Sequence, residues 1–397
     1  MTYVATFDHQ LDLPRVDAKA RHQGHEVILH HGPQAVRALL AGFQPRAECS
    51  VFQHSAWISA WIDTLGTTRR CDSLAAEVRQ RSDGMVVMVL PLIRRWSRGL
   101  RLIEQPDFGI ADYGGALIAP GFAPDAAAMR AIWADLVAAL PKADLLRIYK
   151  LPERTGTLAN PLLLLKDVRR SHLSAFTSPL HGLPFDILRI GMTRKRLRDL
   201  NRRLGNLKAM GDLEFSTASN PQEAEKLFDI ICAQRAARFA ELGRPNCLAH
   251  ADMRAFFRAL LYPTDGKPLA VVQATRLNGT VIAASYALNS GNSLCMIFPT
   301  VAKGEWMSHS PGLQHFRFSM EWAAEQGLTA YDFTIGSEQY KAELGAVEHA
   351  LYELYQPLTL RGRLASATLT TRWHIRERPA LASRLRKVKQ FLSFGRT

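Results

Sequence analysis

The apolar positions along the chain follow two rhythms, and the rhythms come in the same order in both halves. In the first half, Trp57, Ile58, Trp61, Ile62 and Leu65 fall at i, i+1, i+4, i+5 and i+8, which predicts a helix over Ser55–Leu65 with one buried face. A strand is predicted near Leu74–Gln80, followed by a turn at RSDG, where Asp83-Gly84 signals a hairpin. The strands Met85–Ile93 and Leu100–Glu104 come next. The glycine-rich run PDFGIADYGGALIAPG reads as a loop that leads to a helix at about 124–140 and a strand over Asp144–Lys150.

The second half predicts a long helix over about 221–242 and a shorter one from Asp252 to about Leu261. Three apolar runs follow, PLAVVQATRL, TVIAASYAL and SLCMIFPT, joined by Asn278-Gly279 and by Asn289–Asn292. These turns predict a three-stranded antiparallel meander. After the loop VAKGEWMSHS, Ser310 is placed as an N-cap, Pro311 in the first helical turn, and Gly327 as the helix stop. The strand LTAYDFTIG closes the series. Both halves therefore read helix, antiparallel meander, helix, strand, without a residue-level repeat. The expected fold class is mixed α/β (α+β) with largely antiparallel central sheets. Residues 152–190, rich in Pro, Leu and Ser, read as the connection.

Length agrees with two units, since 397 residues exceed what one hydrophobic core usually organises. With 47% hydrophobic and 22% charged residues, the composition is that of a globular protein. The longest apolar runs, such as Met85–Ile93 and Leu162–Leu165, fall short of the roughly 20 residues of a membrane span. The opening MTYVATFDHQLDLPR has no basic segment followed by an apolar one, so the chain is expected to stay in the cytoplasm. Cys49, Cys71, Cys232, Cys247 and Cys295 are scattered and form no CxxC pair, so they are expected as reduced, mostly core thiols. The histidines show no HExxH or paired spacing, and no metal is expected.

Net charge is +14, and residues 361–397 supply +9 of it, with ten Arg/Lys against Glu377 alone. A second basic cluster, TRKRLRDLNRRLGNLK (193–208), is read as a solvated helix face. In the tail, Leu381, Leu385, Val388 and Leu392 share one helical face, and a basic amphipathic helix of this kind can lie on anionic lipid.

The stretch Ser293–Gly345 concentrates the candidate chemistry. A strand runs into a loop, the loop ends at a helix N-terminus, and the helix returns to a strand. Such an N-terminus offers unpaired N–H groups and partial positive charge to an anion. The expected donors are the N–H groups of Gly312 and Leu313, since Pro311 has none, with Ser310 the third cofactor-binding candidate. In the next strand, Tyr331, Phe333 and Ile335 alternate with Asp332 and Thr334, which sends Asp332 away from the apolar set, toward a cleft. His309 is the best-placed imidazole for a general base.

The run SPGLQHFRFSMEWAAEQGLTAYDFTIGSEQYKAELG resembles the hallmark of the CelD/BcsL-type acetyltransferases, a branch of the GNAT superfamily. FQHSAWISAWIDTLG, MVLPLIRR, ADYGGALI, FDILRIGMTRKRLRDLNRRLGNLKAMGDLEF and the Arg238-Phe239 pair resemble other parts of that family, so the likeness covers about 50–355. The resemblance implies two GNAT-like lobes in tandem, as in Fem-type transferases. It divides the chain into a degenerate N-terminal lobe (1–175), a complete C-terminal acyltransferase lobe (176–358) and a basic tail (359–397). It implies acyl-CoA, acetyl-CoA first, as donor, and a sugar, exopolysaccharide precursor or other small polar acceptor. Its site residues carry over as Asp332 positioning or deprotonating the acceptor, Tyr340 protonating the departing thiolate, and Lys341 neutralising a phosphate or sugar acid. Asp112 and Tyr113, the family's "DY", would line an acceptor cleft, and Arg238 would bind an acidic donor or acceptor. The loop EWMSHSPG holds fewer glycines than an ordinary GNAT pyrophosphate loop, which keeps a carrier protein or aminoacyl-tRNA open as donor. A Fem-like aminoacyl transferase and a non-catalytic scaffold of a polysaccharide-synthesis complex are the alternatives. Nucleic acid is not the expected partner, because the long helical arm of some Fem enzymes is missing.

Overall fold

The computed structural model describes residues 24–180, 188, 191–262, 268–336 and 338–377. Its first half contains β1 (His25–His31), α1 (Pro33–Phe43), α2 (Ser55–Trp61), β2 (Asp72–Gln80), β3 (Val86–Ser97), β4 (Leu100–Glu104), β5 (Leu117–Ile118), α3 (Ala126–Ala139) and β6 (Leu145–Pro152). A two-stranded ribbon follows, β7 (Arg154–Thr155) and β8 (Leu158–Ala159), and then β9 (Val168–Pro179). The second half contains α4 (Arg194–Ala209), β10 (Leu213–Thr217), α5 (Pro221–Glu241), α6 (Ala251–Ala259), β11 (Ala270–Leu277), β12 (Thr280–Asn289), β13 (Ser293–Val301), α7 (Pro311–Glu325), β14 (Ala330–Ile335), α8 (Gln339–Glu343), β15 (Val347–Pro357) and α9 (Leu360–Glu377).

The helix–meander–helix–strand order appears in both halves. In each, the strand after the second helix returns parallel to the last meander strand: Leu102–Glu104 pair with Leu145–Arg147, and Ser293–Cys295 with Ala330–Asp332. The strands join into one sheet in the order β1-β2-β3-β4-β6-β15-β9-β14-β13-β12-β11-β10, with β5 on β3. The continuity comes from a crossing of ends. β15, the last strand of the second lobe, pairs with β6 of the first, and β9, at the junction of the lobes, pairs with β14 of the second. Residues 152–190 are therefore more than a connection: a central strand lies inside them, and a boundary between residues 175 and 176 falls within it. β9 buries Ala175 and adds polar cross-strand pairs, among them Arg169–Glu353 at 3.1 Å and Ser174–Glu348 at 2.6 Å.

The two lobes also share core. Trp57 of α2 packs edge-to-face on Phe256 of α6, with ring centroids 4.7 Å apart, and Phe257 carries the contact on to Phe298 at 4.7 Å. Such aromatic pairs add about 0.5–1.5 kcal/mol each beyond the area they bury. The face predicted over Ser55–Leu65 is thus an interlobe seam. Arg69 and Asp252, paired at 2.9 Å, close the seam at its edge.

In the basic α4, Thr193 accepts the Arg196 N–H at 3.2 Å as N-cap, Leu197, Leu200 and Leu207 are buried, and Arg194, Lys195 and Arg198 point outward. The tail face Leu381–Leu392 lies outside the described residues. Among the described residues no helix is long and apolar enough to cross a membrane.

Candidate active site

β13 and β14 pair over only three residues and then part. Two backbone irregularities open the gap. The register of β12 against β13 shifts between Tyr286 and Ala287, which leaves Ile297 as the extra residue of a bulge. On β14, Thr334 sits at φ 56°, and the register with β9 shifts between Asp332 and Ile335. A β-branched residue in the left-handed region costs about 1–3 kcal/mol, so surrounding contacts must hold it. Thr334 Oγ1 donates to Met296 O at 3.2 Å across the gap.

Lys341 holds the bent strand end. Its Nζ donates to Phe333 O (3.0 Å), Ile335 O (2.9 Å) and Gly336 O (2.9 Å), with the Glu338 carboxylate at 3.1 Å. The ammonium is buried and its donors are spent on these carbonyls. This corrects the expectation that Lys341 meets a phosphate or sugar acid. Tyr340 stacks on Phe316 with centroids 5.0 Å apart. Burial raises its phenol well above the ordinary range, so it stays protonated.

A groove of about 720 Å³ runs past this gap, walled by Phe239, Val301, Gly312, Leu313, Phe316 and Tyr340. It shares Arg235, Phe239, Pro299 and Tyr340 with a chamber of about 330 Å³ at the gap itself, where Asp112, Ile297 and Thr334 face one another. The groove thus leads from the α7 N-terminus to Asp112.

At that N-terminus the backbone departs from the expected cap. Ser310 is left-handed (φ 56°, ψ 53°) and its side chain caps nothing; instead Ser310 Oγ accepts from Arg203 Nη1 at 3.1 Å. The Leu313 N–H is also spent, donating to Ser310 O at 3.0 Å, as does the Gln314 N–H at 3.2 Å. Gly312 is left as the first-turn N–H that does not return to Ser310 O. No acidic residue occupies the first turn. A Cβ on Gly312 would lie 3.0 Å from Val301 Cγ2, so a side chain there would press on the groove wall. At the rim, the exposed Arg238 and Lys303 share Glu241, at 3.9 and 2.6 Å, which leaves one net positive charge. His309 sits half-buried in the short turn before Ser310 and lies outside the groove wall, contrary to its expected place as base. The imidazole in the wall is His315, which pairs through Nδ1 with Thr275 Oγ1 (2.9 Å) and through Nε2 with Ser285 Oγ (2.8 Å). Burial lowers its pKa to about 3, so it is a neutral structural link.

Asp332 leaves the apolar face of β14 as the alternation predicts, yet it misses the groove. It is buried, accepts from Tyr113 Oη at 2.8 Å and from the Thr334 N–H at 2.7 Å, and borders a separate cavity of about 350 Å³ with Thr177, Ser293 and His349. Burial raises its pKa. The Tyr113 hydroxyl is therefore committed to Asp332. Its neighbour Asp112 faces the groove. Asp112 keeps part of its surface at the chamber wall, but protein surrounds it, and this desolvation raises its pKa to about 6. Lys150 and the Thr334 hydroxyl pull the other way, while Asp107 and Asp332 add to the rise. Behind it, Lys150 Nζ donates to Asp107 Oδ2 at 2.8 Å and to Ala111 O, which fixes the loop. Gly312, Tyr340 and Asp112 thus share one groove, with Asp332 and Tyr113 behind them and Arg238 at the mouth. Ile297, Arg235 and His315 complete the wall without having been marked in the sequence. Arg235 is the better-built cation, stacked 4.7 Å over Phe298 and donating to Asn246 at 3.1 Å.

Residues 193–342 match the acetyltransferase (GNAT) domain family. No curated protein sequence matches the chain. Among solved structures, that of FemX is similar over 81% of this chain and 95% of that one, at 14% identity and a TM-score of 0.53. The C-terminal domain of a putative lysylphosphatidylglycerol synthetase from Agrobacterium fabrum covers 85% of this chain and 97% of its own, at 10% identity and a TM-score of 0.49. A tandem GNAT protein of the clavulanic acid pathway covers 84% and 98%, at 14% identity and a TM-score of 0.42. The FemX likeness speaks to the fold. Residues 193–342 carry a GNAT-type acetyltransferase domain, within a mixed α/β chain of the overall fold seen in FemX.

Proposed function

We propose that the chain transfers an acyl group, acetyl first among candidates, from acyl-CoA to an amine or hydroxyl of a sugar, exopolysaccharide precursor or other small polar acceptor, as in the CelD/BcsL-type acetyltransferases. The observation that carries this reading is the continuous groove from the Gly312 amide to Asp112. A pantetheine-like arm fits its apolar walls. The Gly312 N–H and the positive rim suit the donor's phosphates.

Asp112 takes the proton from the acceptor as its nitrogen or oxygen attacks the thioester carbonyl. The bulged backbone at Ile297 offers its N–H to the developing oxyanion. The C–S bond then breaks, and the Tyr340 hydroxyl gives its proton to the departing thiolate. Tyr113 and Asp332 position Asp112 from behind, and Arg235 and Arg238 draw acidic groups to the mouth. In this reading the enzyme works at the inner membrane face or in the cytoplasm, held at anionic lipid by residues 361–397.

The test is release of free thiol when the protein is mixed with an acyl-CoA panel and candidate acceptors. Thiol release that needs both donor and acceptor, and that disappears in Asp112→Asn, supports the reading. Absence of binding to any CoA species by calorimetry overturns it. The exposed bases Arg194, Lys195, Arg198 and Arg202 of α4 and the likeness to FemX favour one second reading, in which aminoacyl-tRNA is the donor. That reading predicts that tRNA co-purifies and is lost at moderate salt.

A further inference from the structure

Among the described residues, the three most exposed large apolar side chains gather at one end of the sheet: Trp96 (68% exposed), Leu360 (75%) and Leu364 (74%). Trp96 stands beside the β3–β4 hairpin turn, where Arg98 (φ 52°) and Gly99 (φ 76°) reverse the chain. Across the hairpin its partner is Arg101, whose guanidinium lies 5.8 Å from its ring. Asp144 ties this hairpin to the start of α9. One of its oxygens accepts the Arg101 N–H at 2.8 Å, and the other accepts the Thr359 hydroxyl at 2.9 Å, one residue before Leu360. The Leu358 N–H adds a bond to Asp144 O at 2.9 Å. Since β3, β4, β6 and β15 are sheet neighbours, Trp96 and Leu360 are separated by three strand spacings, about 15 Å.

The charge around these side chains is mainly positive, with the exposed Asp72 paired to Arg94 at 2.7 Å. Arg98, Lys142, Arg361 and Arg363 are exposed, and segments 94–101, 138–143 and 358–368 contain no Asp or Glu. The adjacent Asp144 is buried and already spent. Residues 378–397 add six bases and no acid to the chain beyond α9. An exposed Trp and two Leu ringed by bases pair apolar surface with cations, which matches the boundary of a bilayer with anionic headgroups. None of these residues lies on the groove described above.

We infer that the Trp96 hairpin and the start of α9 form a folded docking surface for an anionic membrane, which deepens the tail contact of the proposed function by adding the hairpin to it and does not depend on residues 378–397. Trp96, Leu360 and Leu364 enter the headgroup boundary, while Arg98, Lys142, Arg361 and Arg363 meet lipid phosphates. The test is sedimentation of the full-length protein with phosphatidylcholine vesicles, with or without phosphatidylglycerol. Two variants are compared with wild type: Trp96→Ser/Leu360→Ser/Leu364→Ser, and a tail variant Arg384→Gln/Arg386→Gln/Lys387→Gln. Their circular dichroism serves as the folding control. The expected result is selective binding to the anionic vesicles, weakened about tenfold or more in the apolar triple variant and reduced by added salt. Three results overturn the proposal. One is a triple variant that binds like wild type while the tail variant does not, which leaves the tail as sole anchor. Another is lack of binding to either vesicle. The third is a concentration-dependent dimer in ultracentrifugation that Trp96→Ser abolishes, which shows the patch covered by a second copy.

Discussion

The two lobes repeat one topology and fill its central corner in opposite ways. In the first lobe, the gap where β4 and β6 part holds about 10 Å³, packed by Gln105, Asp107, Tyr113, Tyr149 and Lys150. Glu104 bridges Arg95 and Arg147 across it. The helix behind that gap, α3, is capped by Asp125, whose carboxylate accepts the Ala128 N–H at 2.7 Å. A carboxylate stands there at the place a phosphate would need. In the second lobe the corresponding gap holds a chamber of about 330 Å³ beside the groove of about 720 Å³, and its helix begins on an uncapped, left-handed Ser310 with no acid in the first turn. The comparison teaches that topology alone does not make a donor site. The first lobe has closed its own corner and supplies the Asp112–Tyr113 loop to its neighbour's corner.

The largest effect is expected where the lobes meet. Asp112→Asn should lower kcat about 10²–10⁴-fold while leaving donor affinity intact. The pH profile sharpens this. Asp112 accepts a proton only when ionised, so the wild-type rate should rise through about pH 6 and level off above it, and the variant should lose that limb. The stability linkage runs the other way. The raised pKa contributes stability that is full below the carboxyl's ordinary value of 3.8 and is lost as pH rises through about 6. Thermal melts of Asp112→Asn should therefore fall less between pH 4 and 8 than those of wild type.

Next come the two buried lysines. Lys341→Ala removes the donor to three carbonyls at the strand bend and should cost about 3 kcal/mol in denaturant unfolding, since orphaned buried acceptors cost about 1–3 kcal/mol each and water can partly replace the lysine. Lys150→Ala leaves Asp107 buried without its cation, so it should be comparably destabilising and should also shift the pH limb upward, because Lys150 holds the Asp112 pKa down. Equal pH profiles for the two variants would break the claim that Lys150 tunes the base that the first lobe supplies to the second lobe's corner. The smallest effect is expected at the closed corner. Asp125→Ala should cost about 1 kcal/mol as a lost helix cap and leave donor binding unchanged.

Much of this contrast was legible in the sequence, because turns and helix starts are local. Asn278-Gly279, Pro311 and Gly327 mark their elements through backbone rules that no tertiary contact overrides. β9 and β15 were not legible, since their strand partners lie far away in sequence, and residues such as Ala175, Leu351 and Leu354 are buried only once those strands have paired. The site residues divide in the same way. Asp332 alternates as expected, but whether it meets groove or core depends on Tyr113, 219 residues away. Lys341 looked like a free cation because the bend at Thr334, which gathers three carbonyls around its ammonium, has no signature in a β-branched residue. Ile297 is marked only by a register shift, which exists once two strands have paired.

The central claim, that one lobe binds the donor and the other has filled its site, is tested most directly by calorimetric titration of acetyl-CoA into the wild-type protein and Gly312→Val. The account predicts one molecule bound per chain, with affinity reduced about tenfold or more in the variant as the new side chain presses on Val301 and fills the groove. Two molecules per chain, no binding, or a Gly312→Val protein that binds like wild type would contradict it.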